Sequence, residues 1–239
     1  MFYRNMSKSP GPGFNFFFIK KNWDIVSKDI IRALHSFQSI GFIPRGCNAS
    51  FITLVPKKAN PSNLNNFRPI SLVGGVYKIL SKTLANRLKK VLPSIIDVNQ
   101  SAFLSERSML DNILVANETV DYLKKEKKSG VYVKVDFEKA YDSVEWEFLY
   151  YMLGRLGFGS TWIKWIKACM ESATISVLVN GIPTQEFKPK GGLRQGDPLA
   201  HFLFLVVAEG LTGLVREARR ASLFKGVEMG SSRIQVDLL

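Results

Sequence analysis

The sequence predicts an α+β fold, and three observations predict it. Segments with apolar residues at helical spacing are mixed with short β-prone runs in no regular alternation. Asn180-Gly181, the strongest short hairpin signal, separates the run Thr174 to Val179 from a return strand through Glu186-Phe187. No linker divides the 239 residues, a length that suits one large domain or two small lobes.

The elements follow in order. Ser9-Pro10-Gly11-Pro12-Gly13 cannot be helical and reads as an irregular lead-in. The greasy stretch Phe14 to Ile19, followed by Lys20 and Lys21, lacks a cleavage-site pattern. From Trp23, the residues Val26, Ile30, Leu34, Phe37 and Ile40 recur at helical spacing, and Gly41 offers a stop. Ser50 to Val55 is β-prone and ends at Pro56; a loop rich in Asn, Pro and Ser runs to Asn66. Val76, Leu80, Leu84, Leu88 and Val91 mark a helix that Pro93 is expected to end. Its other face carries Lys78, Lys82, Arg87 and Lys89, either solvated or laid against an anionic partner. A third helix spans roughly Leu110 to Lys125 and gives way to a Lys-rich stretch before Ser129-Gly130.

Val131, Val133 and Val135 alternate with Tyr132 and Lys134 as in a strand with one apolar face, and Asp136 sits at its end. Asp142 and Glu145 have capping-box spacing, which makes Asp142 a helix N-cap. Trp146, Leu149, Leu153 and Leu156 give that helix an inward stripe, and Trp162, Ile166 and Cys169 mark another. After Gly191-Gly192-Leu193-Arg194-Gln195-Gly196-Asp197, Pro198 is placed at the first turn of a long helix through Leu199, Leu203, Val206 and Leu211.

Charge narrows the function. Lys and Arg total 33 against 20 Asp plus Glu, a net of +13, which favours a polyanionic partner because neutralised phosphates release counterions. A basic surface that binds nothing is the plainer alternative. At 46% hydrophobic there is ample material for a core. Cys47 and Cys169 lack metal-ligand spacing and fit a reducing compartment without a disulfide-linked partner. With His35 and His201 the only histidines, a His-rich metal site or a Ser-His-Asp triad is disfavoured. The longest apolar stretch, Phe202 to Ala208, is too short to span a bilayer, so a soluble intracellular protein without a membrane partner is expected.

Four constellations carry chemistry: Leu54-Val55-Pro56-Lys57-Lys58, then Asn66-Phe67-Arg68-Pro69-Ile70-Ser71-Leu72, then Val135-Asp136-Phe137-Glu138-Lys139-Ala140-Tyr141-Asp142, then Gly192-Leu193-Arg194-Gln195-Gly196-Asp197-Pro198-Leu199. In this order and at these separations they resemble the reverse transcriptases of non-LTR (LINE-type) retrotransposons, plant elements in particular, from Ser9 onward. The resemblance implies a right-hand polymerase: residues 1–128 a lead-in and fingers-like region, residues 129–239 a truncated palm with intervening fingers elements, and no thumb. It implies RNA-directed DNA polymerase activity on an RNA template and DNA primer with dNTPs, target-primed in the nucleus.

Nucleotidyl transfer of this kind rests on positioning and charge neutralisation, with two Mg²⁺ ions clamping the attacking and leaving oxygens. By resemblance Asp136 is the first metal ligand and the catalytic carboxylate, and Phe137 lends its backbone carbonyl to the same ion. Lys57 and Arg68 match the cations that grip the triphosphate, a compact charge and a planar donor fork. Lys58 stands one register from Lys57 as a substitute. Tyr141 matches the aromatic under the incoming sugar that excludes a 2′-hydroxyl, with ordinary core packing as the alternative. Gln195 and Gly196 match the loop against nucleotide and template. Arg194 is a weaker phosphate contact, and Asp197 is expected to cap the following helix.

The family's next motif, aromatic-Ala-Asp-Asp, has no counterpart, since no Asp-Asp pair occurs in the sequence. Ile234 to Leu239 resembles the strand leading into it, and Asp237 belongs to that approach. The family also usually has Asp between Pro12 and Gly13, and Pro where His201 stands. With one firm carboxylate the chain alone is expected to be inactive, and absent palm strands imply an open edge and poor solubility. Two other readings stand beside the polymerase: a noncatalytic retrotransposon remnant, and a maturase-like RNA-binding protein.

Overall fold

The computed structural model describes residues 16–104, 107–229 and 234–236. Helix α1 (Phe16–Lys21) leads into α2 (Trp23–Ile40), which ends where Gly41 enters the left-handed region at φ 69° and donates its N–H to Phe37. Strands β1 (Ala49–Pro56) and β2 (Phe67–Val73) form an antiparallel pair, with a 3₁₀ turn over Leu64–Asn66 in their loop. Helices α3 (Gly75–Ile95) and α4 (Met109–Lys125) follow, then α5 (Trp146–Arg155) and α6 (Ser160–Glu171). Strands β3 (Thr174–Val179) and β4 (Ile182–Pro183) precede the long α7 (Ala200–Arg220), and a small ribbon pairs β5 (Val227–Met229) with β6 (Ile234–Val236).

The main sheet has the order β2-β1-β3-β4, with β3 parallel to β1 and antiparallel to β4. It therefore draws strands from both the 1–128 and the 129–239 segments. Asn180 and Gly181, both at positive φ, make the β3–β4 turn as their dipeptide requires. The return strand is shorter than expected, because Phe187 rejoins β3 only as an isolated bridge to Ile175. The core lies where α3, α5, α6 and α7 meet, and Leu88, Leu92, Leu149, Leu153, Ile166, Leu199, Leu203 and Val206 are essentially sealed from solvent.

The α3 to α4 connection is held by Arg107, whose guanidinium donates to the carbonyls of Pro93 (2.8 Å), Gln100 (2.7 Å) and Asp97. Arg216 on α7 bridges Asp97 (2.7 Å) and Glu209 (2.6 Å) in the same corner. The Arg107 bond to Pro93 satisfies a carbonyl that the end of α3 leaves open.

Four expectations need correction. Helix α3 runs through Pro93 to Ile95, because a proline in the last turn forfeits only one ladder bond and Ile96 still donates to Leu92. Val131 to Val135 is not a strand: no described strand pairs with it, and Val131, Val133 and Val135 are 91%, 74% and 58% exposed. Alternation specifies a pleat only when a neighbour supplies the ladder. Asp142 does not cap α5, which begins at Trp146 with Glu145 as its flanking residue and no side-chain cap. Asp142 instead lies in the preceding turn, its N–H donating to the Lys139 carbonyl. Pro198 precedes the first turn of α7 by two residues. The lead-in at Ser9 to Gly13 and Asp237 lie outside the described residues.

Candidate nucleotide-binding site

The β1–β2 pair sets the first part of the site. Val55 pairs with Arg68, and the Lys57 N–H donates to the Asn66 carbonyl at 2.7 Å. Side chains alternate along a strand, so this register puts Lys57 and Arg68 on one face as diagonal neighbours. Both are exposed, and the Lys57 ammonium rests on the Asn65 carbonyl at 2.9 Å. Lys58 is exposed just beyond the strand.

Strand β2 is at the sheet edge, and its outer side is taken by the loop before α7. The Ser71 N–H donates to the Gln195 carbonyl at 2.7 Å. Gly196 sits at φ +106°, and a Cβ there would stand 2.8 Å from the Ser71 carbonyl oxygen, so only glycine fits. Gly196→Ala is therefore expected to cost roughly 1–3 kcal/mol, with the loop pushed off β2; urea unfolding of the two proteins measures it.

The other side of the loop is tied to the turn before α5. Leu193 N–H donates to Tyr141 (2.7 Å), Gly192 N–H to Val144 (2.8 Å), and the Trp146 indole to Gly192 (2.8 Å). A cleft of about 140 Å³ opens between these pieces, lined by Ile52, Pro69, Ser71, Asp142, Trp146 and Gln195 among others. The Tyr141 ring lies 5.5 Å from Phe204 of α7, and burial pushes its hydroxyl pKa up. Phe137 meets the same Phe204 edge-on at 5.8 Å. The carboxylate of Asp136, one residue earlier, is exposed.

Thus Lys57 and Arg68 come together on one strand pair, Gln195 and Gly196 come to its edge, and Tyr141 is bonded to the same loop. Among the described contacts, Asp136 is linked to this assembly through its neighbour Phe137. Among the described residues no group of three or more His, Cys, Asp or Glu side chains is placed to hold a metal ion. Asp136 and the cleft-lining Asp142 supply too few oxygen ligands for a pair of divalent ions, which need several each.

Arg194 departs furthest from expectation. Its guanidinium is buried, paired with Asp197 at 3.0 Å, bonded to the Asn48 side chain at 2.7 Å, and set 4.5 Å from the centre of the Tyr77 ring. It is engaged inside the protein and has no free face for phosphate. Asp197 does serve the start of α7, accepting from Leu199 N–H at 3.0 Å, and also accepts from Tyr77 (3.0 Å) and Ser81. Burial and then the Asp197 charge hold the Tyr77 hydroxyl pKa well above its ordinary value. Asn48, Tyr77 and Ser81 carry no motif; the available signal is that Tyr77 and Ser81 are polar residues at core positions of α3. On the basic face of α3, Arg87 lies 5.6 and 5.4 Å from the ring centres of Trp162 and Trp165, while Lys82 and Lys89 are exposed. His201 packs 5.2 Å from Phe103, and burial lowers its pKa.

Residues 55–227 match the family profile described as reverse transcriptase (RNA-dependent DNA polymerase). The chain belongs to the reverse transcriptase family. It is 30% identical over 224 residues to the uncharacterized 149 kDa protein of transposon TX1 from Xenopus laevis, covering 93% of this chain and 17% of that protein. It is 26% identical over 207 residues to the retrovirus-related Pol polyprotein from the type-2 retrotransposable element R2DM of Drosophila melanogaster, covering 87% of this chain and 19% of that protein. The chain thus spans under a fifth of the length of these relatives. A solved structure of apo telomerase from Candida tropicalis, truncated from its C-terminal domain, matches 87% of this chain and 46% of its own at TM-score 0.51 and 15% identity. That likeness shows the α+β polymerase fold. The sequence relatives place the chain among reverse transcriptase domains of the non-LTR retrotransposon type.

Proposed function

We propose that this chain is the part of a retrotransposon reverse transcriptase domain that receives the dNTP and the template–primer, and that by itself it does not complete DNA synthesis. The observation that carries this reading is the bond between Ser71 and Gln195, which fixes the Gln195–Gly196 loop along the strand that bears Arg68. Lys57 and Arg68 supply positive charge for a triphosphate, Gln195 offers an amide to base or template, and Tyr141 lies under the sugar. The net charge of +13 draws the RNA template and DNA primer to the same surface. Asp136 and the Phe137 carbonyl would contribute to a Mg²⁺ site that other carboxylates must finish, and no Asp-Asp pair in the sequence does so. Synthesis in the nucleus follows from the family resemblance.

The missing Asp-Asp pair also supports a second reading, a noncatalytic remnant that still binds nucleic acid. Nucleotide affinity separates the two. In the first reading, Lys57→Ala and Arg68→Ala each weaken dATP binding by roughly ten- to a hundredfold, the loss of one charge-assisted contact. Titration calorimetry on the full chain measures this; equal affinity in wild type and both variants contradicts the site.

A further inference from the structure

The turn that presents Gln195 is closed by its own ends. Arg194 and Asp197 flank the Gln195–Gly196 tip, the Asp197 N–H donates to the Arg194 carbonyl at 3.1 Å, and their side chains form an ion pair at 3.0 Å. Positive φ at Gly196, third in the turn, is the mark of a type II turn. Both charged groups are almost fully buried.

Each end is then tied to a different element. Asp197 accepts from Tyr77 and Ser81 of α3. Arg194 donates to the side chain of Asn48, just before β1, and Asn48 donates at 2.8 Å to both the Cys169 carbonyl and the Ser172 hydroxyl at the end of α6. The tip itself is bonded to Ser71. Replacing a buried ion pair with apolar side chains is often neutral or stabilising, so stability alone does not account for one here. What this network provides is a single orientation for the turn.

We propose that Asp197, acting through Arg194 and Tyr77, is a positioning residue that holds the Gln195–Gly196 turn against β2 and so sets the direction of the Gln195 side chain toward nucleotide. This rests on the proposed function only for what Gln195 meets; the holding of the turn stands apart from it. Tyr77→Phe keeps the ring and removes one bond to the carboxylate, and Asp197→Asn removes the charge.

The test is hydrogen exchange at the Ser71 amide, with dATP and RNA affinities, in the full chain. Tyr77→Phe, Asp197→Asn and the core control Leu149→Ala are compared with wild type. Faster Ser71 exchange is expected in Tyr77→Phe and Asp197→Asn, beyond any change in α5 amides, and none beyond that change in Leu149→Ala. Affinity for dATP should fall about tenfold in Asp197→Asn, while RNA affinity, set by surface cations, stays within about twofold. Should Asp197→Asn fail to fold, Tyr77→Phe decides on the same exchange. Ser71 exchange that follows overall stability in every variant overturns the proposal. If the wild-type chain binds no dATP, the proposed function fails while Ser71 exchange still judges the positioning.

Discussion

Arg194→Ala is expected to destabilise the protein by about 3–5 kcal/mol, the usual cost of breaking a buried pair by removing one partner. Asp197 would keep Tyr77, Ser81 and the Leu199 amide as donors but lose the Arg194 cation while remaining almost fully buried. Asn48 would lose the donor to its side-chain oxygen, and the Tyr77 ring would lose the cation above it. A phosphate-contacting arginine on the surface behaves differently: its removal costs within about ±0.5 kcal/mol of stability and weakens nucleic-acid binding instead. Urea unfolding beside a heparin-affinity measurement separates the two. A stability loss below about 1 kcal/mol, with weaker heparin binding, would return Arg194 to the surface role read from its motif.

Leu203→Ala is expected to cost about 2–5 kcal/mol, the range for truncating a buried leucine in a packed core. Leu203 is fully buried on α7, in the cluster that includes Leu149, Leu153 and Ile166. α7 also carries Phe204, the ring against which both Phe137 and Tyr141 pack. A shift of α7 therefore reaches the site as well as the core. For a domain of this size each kcal/mol moves the melting temperature by roughly 2–4 °C, so a drop of several degrees is expected by calorimetry. An unchanged melting temperature would mean that α7 is not packed as described.

The fold was legible where the period of the sequence and a local stop signal agreed. The α2 stripe from Val26 to Ile40 ends at Gly41, and the Asn180-Gly181 turn joins β3 to β4, as their residues require. It was not legible where the structure depends on a distant partner. Val131 to Val135 has the alternation of a strand, but alternation does not say whether a neighbouring strand is available. Asp142 and Glu145 have the spacing of a cap, but the bonds between this turn and Gly192–Leu193 fix it in another conformation.

The same division runs through the site. Lys57, just past the end of β1, and Arg68 on β2 belong to short motifs, so residue type and order were enough to single them out. Arg194 and Gln195 are adjacent in one motif, yet the Arg194 guanidinium is buried in an ion pair while Gln195 bonds to the edge of β2 through its backbone carbonyl. The sequence does not say which of two neighbours points inward, and the inward partners Asn48 and Tyr77 lie over a hundred residues away.

On the proposed reading this chain binds a template–primer in a reverse transcriptase fold, and its described carboxylates do not complete a metal site to extend it. The most direct measurement is a reaction holding the chain, an RNA template annealed to a DNA primer, dNTPs and Mg²⁺, read by gel shift and by primer extension beside Asp136→Ala. The account predicts that the heteroduplex is bound by both proteins and extended by neither. Extension by wild type that disappears in Asp136→Ala would contradict it, because other carboxylates of this chain would then complete the metal site.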